Sequence, residues 1–125
     1  MQESYQHFNT AKLAFDKGDL KKTIDLLAQV TYNEVLLNIA AKVILLKIYY
    51  QEEDYDTLEA LLDSFRVFLN RKKEITASKE NYINLIVLVK KLLSLSLEKG
   101  AVSALKKEIE DTEQLAERKW LLEQI

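Results

Sequence analysis

Residues Ala11 to Val30 read AKLAFDKGDLKKTIDLLAQV, and two residues in the middle of this stretch, Gly18 and Asp19, decide how the rest is read. Upstream of them, Tyr5, Phe8, Ala11, Leu13, Ala14 and Phe15 recur at helical spacing and cover a broad stripe that a strand's period of two would not give. The spacing predicts a first helix over about Ser4 to Lys17. Gly18 stands where a helix needs a left-handed residue to stop, and Asp19 offers a carboxylate to the free amides of the next helix. A second helix is predicted over about Leu20 to Val30, turned back on the first.

The same signals continue along the chain. Asn33 is placed to cap a third helix through about Glu52, apolar on most sides (Val35, Leu36, Ile39, Ala40, Val43, Ile44, Leu46, Ile48), as expected of a helix that sits between neighbours. Asp54 is placed to cap a fourth over about Tyr55 to Arg71, carrying Leu58, Leu61, Leu62, Phe65, Phe68 and Leu69. The polar stretch Lys72 to Ser78 is the longest candidate loop. Thr76 or Ser78 starts a fifth helix that carries apolar residues through Leu95, and a sixth extends from Ala101 to about Leu122, with Leu105, Ile109, Thr112, Ala116 and Trp120 on one stripe. The expectation is an all-α fold of about six helices in three antiparallel hairpins, residues 4–30, 33–71 and 78–122, forming a single domain over residues 1–125.

Composition agrees with this. The chain has 125 residues, 48% hydrophobic and 30% charged, a globular balance long enough to bury a core without staples. Proline is absent and there are only two glycines, Gly18 and Gly100, so almost nothing interrupts helical conformation. With no cysteine, disulfides and thiolate metal sites are excluded. Lysines at 42, 47, 90 and 91 punctuate the richest apolar segments, so no run reaches the roughly 18 apolar residues of a membrane span. The first residues carry Glu3 and lack a basic patch followed by an apolar run, so no signal peptide is read there and a cytoplasmic setting is expected. A net charge of −2, from 18 basic and 20 acidic residues, gives no electrostatic footprint for nucleic acid. The one basic run, Arg71, Lys72 and Lys73, suits the carbonyl end of a helix.

Asp54 lies 35 residues after Asp19, and with that offset the flanks correspond: Lys12 with Lys47, Phe15 with Tyr50, Leu20 with Tyr55, Leu26 with Leu61, Leu27 with Leu62. A helix-turn-helix unit repeating at about 34 residues is the tetratricopeptide pattern. The stretch Ala11 to Val30 resembles the second half of the first helix, the Gly-Asp turn and the second helix of such a repeat. The chain departs from the family at several positions. Leu46 stands where Ala11 supplies the small residue, Leu58 where Thr23 does, Glu53 replaces the turn glycine, and the closing proline is missing throughout. Laying Gly100 on Gly18 gives a third unit at an offset of 82 residues, with Val102, Leu105 and Ile109 against Leu20, Thr23 and Leu27. The resemblance implies a short stack of hairpins, each hiding its neighbour's apolar face.

No residue pattern carries catalytic chemistry. His7 is the sole histidine and has Ala11, not a second ligand, four residues on. Acidic pairs such as Glu52 with Glu53 point about 100° apart on a helix and do not converge. There is no glycine-rich phosphate loop, and Ser94, Ser96 and Ser103 lack a partner base. Neither an enzyme nor a cofactor or metal is expected.

The resemblance does imply a binding groove lined by the first helix of each repeat. Carried over, it takes Tyr5, Phe8, Lys12 and Phe15 from the first unit, Ala40, Val43, Lys47 and Tyr50 from the second, and Val87, Lys90, Ser94 and Leu97 from the third. Lysines among aromatic rings would hold an extended acidic or carboxylate-ended peptide, by charge on Lys12, Lys47 and Lys90 and packing on Phe8, Phe15 and Tyr50. The competing reading puts the aromatics in the core, with the lysines reaching past them to water. The expected function is a protein-interaction module for a peptide or partner helix. The alternative is a structural or self-associating segment of a longer helical-repeat protein, such as a homodimer.

Overall fold

A computed structural model describes residues 2–28, 32, 34–73, 78–95 and 100–125. These form seven helices and no strand: α1 (Gln2–Asp16), α2 (Leu20–Leu27), α3 (Val35–Gln51), α4 (Tyr55–Arg71), α5 (Lys79–Leu93), α6 (Ala101–Asp111) and α7 (Arg118–Glu123). The fold is all-α. By contact, the chain divides into two compact units, Met1–Phe65 and Arg66–Ile125, with the boundary inside α4.

In the first unit the α1–α2 reversal follows from its two central residues. Gly18 takes φ +81, which lets its N–H bond the Phe15 carbonyl (3.0 Å) while the Asp19 N–H bonds that of Ala14 (2.9 Å). The Asp19 side chain then accepts from the Lys22 N–H (3.2 Å), and its carbonyl from the Thr23 N–H (3.1 Å). Thirty-five residues on, the same four bonds recur: Glu53 N–H to Tyr50 (3.2 Å), Asp54 N–H to Tyr49 (3.0 Å), Thr57 N–H to the Asp54 carboxylate (3.4 Å) and Leu58 N–H to the Asp54 carbonyl (3.0 Å). Glu53 replaces the glycine and still takes φ +59, a conformation in which a side chain crowds the backbone.

α1 and α2 pack along each other and both meet α3. Phe8, Ala11, Leu27, Tyr32, Leu37, Ala41, Ile44, Leu45 and Ile48 form the buried cluster, with Phe15, Leu20, Ile24 and Leu61 packed around it. Ala11 and Ala41 keep the backbones close. α3 also buries Ile39, Val43 and Leu46, on its other faces, as its apolar circumference requires. α4 buries one stripe, Leu58, Leu62, Phe65 and Leu69, and exposes the rest, apart from the half-buried Leu61 and Phe68.

The second unit departs from expectation in three places. The fifth helix ends at Leu93 rather than Leu95, because the Ser94 hydroxyl turns back to the Lys90 carbonyl (3.1 Å) at its C-cap. Gly100, φ +92, is the N-cap of α6, the position Asp19 holds in the first unit, so it is displaced by one residue from the overlay on Gly18. The long sixth helix is broken into α6 and α7. Thr112 is extended (ψ 115), Glu117 takes φ +61, and the Arg118 guanidinium reaches back over the end of α6. It donates to the carbonyls of Ile109 (2.9 Å), Glu110 (2.8 Å), Thr112 (2.5 Å) and Glu113 (3.2 Å). One cation thus satisfies the acceptors that a helix end leaves open. The break is tied to α5 by the Ala116 N–H on the Asn81 carbonyl (3.1 Å) and the Asn84 amide on the Gln114 carbonyl (2.8 Å). Asn33 and Thr76, two of the expected caps, lie outside the described residues, as do Val30, Ser96 and Leu97.

Two expectations follow for stability. In chemical denaturation, Glu53→Gly should stabilise the chain by about 0.5–1 kcal/mol and Gly18→Ala should destabilise it by about 1 kcal/mol, since nothing lies within 4 Å of a Cβ at Gly18 and only the backbone conformation changes in cost. Arg118→Met should cost about 2 kcal/mol by the same measurement, and hydrogen exchange should show the end of α6 losing protection.

Candidate functional site

The candidate binding surface lies on α1 and α3 of the first unit. Where α1 begins, three of its residues meet the approach to α3. His7 Nδ1 lies 2.6 Å from the Tyr32 hydroxyl, the Phe8 ring meets Tyr32 edge-on with centroids 6.1 Å apart, and Tyr5 interacts with Glu34. Tyr32 is itself 2% exposed, and its carbonyl accepts from the buried Asn38 amide. α1 and α3 therefore start at the same end of the unit and run the same way. Oε1 of Glu34 is buried and has no hydrogen-bond partner among the described residues.

The residues expected to line the groove fall into different environments. On α1, Tyr5 is 49% exposed and Lys12 is exposed. Phe8 is buried against Tyr32, and Phe15 is half-buried against the same cluster. On α3, Lys47 and Ala40 are half-buried, Val43 is buried, and Tyr50 is half-buried with its ring edge-on to Tyr55 at 6.3 Å. Lys90, Val87 and Ser94 belong to the second unit. Of the expected groove residues of the first unit, Tyr5 and Lys12 are thus exposed, Phe15, Lys47, Ala40 and Tyr50 are partly covered, and Phe8 and Val43 are withdrawn into the core.

Two apolar side chains not expected at the surface are exposed on the same two helices. Leu13 is 58% exposed on α1 and Leu36 is 73% exposed at the start of α3. Both count as core under helical periodicity, and their exposure depends on which neighbours arrive, which one chain's periodicity does not encode. The His7–Tyr32–Asn38 contacts were equally hidden, because Tyr32 stands outside any helix and belongs to no stripe.

In the second unit, a depression of about 270 Å³ lies between α5 and α6, lined by Ser94, Ala104 and Leu105 and bridged by the Lys91–Glu108 ion pair at 2.5 Å. Its two charges satisfy each other at a solvent-exposed position, where such pairs contribute about 0–1 kcal/mol. Among the described residues no group of three or more His, Cys, Asp or Glu side chains is placed to hold a metal ion, and no helix is long and apolar enough to cross a membrane.

The titratable groups that do stand out are phenols. Burial raises Tyr32, burial and Asp54 raise Tyr49, burial and Tyr55 raise Tyr50, and burial and Glu117 raise Tyr82. Tyr5 is raised first by hydrogen bonding to Glu34, then by that residue's charge, and last by burial. A phenol that ionises less readily when folded contributes stability that is present below its unfolded value and is lost as pH rises through the folded one. Burial lowers Lys42, which acts in the opposite sense over the same range. With five phenols against one amine, stability is expected to fall from about pH 10 upward. Denaturant midpoints followed alongside tyrosinate absorbance check this, and a midpoint that climbs above that pH would contradict it.

Comparison with protein families, with curated proteins and with solved structures finds no match to this chain.

Proposed function

We propose that this chain is a protein-binding module of the tetratricopeptide-like kind, in which α1 and α3 of the first unit hold a peptide or helix from a partner. The observation that supports this reading is the 35-residue recurrence of four turn hydrogen bonds, an offset that also relates Lys12 to Lys47.

Helix geometry supports the pairing of those two lysines. At about 100° per residue, Lys12 lies roughly 70° round α1 from the side marked by Phe8, Ala11 and Phe15. Lys47 lies roughly 100° round α3 from the side marked by Leu37, Ala41, Ile44 and Ile48, in the opposite sense. For helices that run the same way with their core sides facing, opposite senses lead to one common side. Two ammonium groups on one side of a helix pair favour a partner that brings carboxylates, chiefly through encounter rate and selectivity. Lys90 belongs to the other unit and is not needed for this reading.

Affinity capture with the wild-type chain and with the double variant Lys12→Glu/Lys47→Glu, both verified helical by circular dichroism, tests it. Partners retained by the wild type should fall about tenfold on the variant. Equal recovery would remove α1 and α3 from consideration as the binding face. Light scattering on the same two proteins covers the self-associating alternative, since a dimer that the substitutions dissociate would make a second copy the partner.

A further inference from the structure

We draw no further inference here: the strongest candidate, the exposed face of α4 that carries Asp56, Ala60, Val67 and Arg71, crosses the boundary between the two compact units, and nothing in the structure shows what covers it.

Discussion

A helix that reverses within two residues must place one of them at positive φ, and must give its last carbonyls and the next helix's first amides partners in the same short space. Here the residue pairs 18–19 and 53–54 meet that demand with the same four bonds. The constraint fixes how α1 lies on α2, and the pair then offers Phe8, Ala11 and Leu27 as one surface. α3 is apolar round most of its circumference and fills that surface with Leu37, Ala41, Ile44 and Ile48. Which residues stay outside, Tyr5, Lys12 and Leu13 among them, is settled only after that packing is complete.

Small residues matter as much as large ones. Ala11 and Ala14 are 0% and 5% exposed on α1, and Thr23 on α2 is 0% exposed. Thr23 keeps its hydroxyl satisfied by donating to the Asp19 carbonyl at 2.8 Å, so a buried polar group is accommodated beside the turn at no loss. A bulkier side chain at any of these positions would push α1 and α2 apart and uncover the cluster that α3 closes.

The parts of this architecture that were legible in the amino-acid order are those decided locally. Gly18 with Asp19, and Asp54 with the apolar run that follows it, announce where helices stop and start, and the helices over Gln2–Leu27 and Val35–Arg71 were anticipated nearly to their ends. The break between α6 and α7 was not. Nothing in Thr112–Glu117 forbids a helix, and the interruption is held by Arg118 gathering carbonyls behind it and by Asn81 and Asn84 some thirty residues earlier. The candidate site was legible to the extent that Lys12, Lys47 and Tyr5 stand at repeating helical positions. The inward turn of Phe8 agrees with the competing reading that put the aromatics in the core, whereas its partner Tyr32, which lies in no helix and shows no period, could not be named from the sequence.

The two reversals are alike in bonding but not in ease. Gly18 adopts its left-handed backbone freely, whereas Glu53 holds the equivalent geometry against the crowding of its own Cβ. The α3–α4 reversal therefore carries a backbone cost that the α1–α2 reversal does not, and the fully buried Leu58 and Leu62, on the first turns of α4, are what offset it.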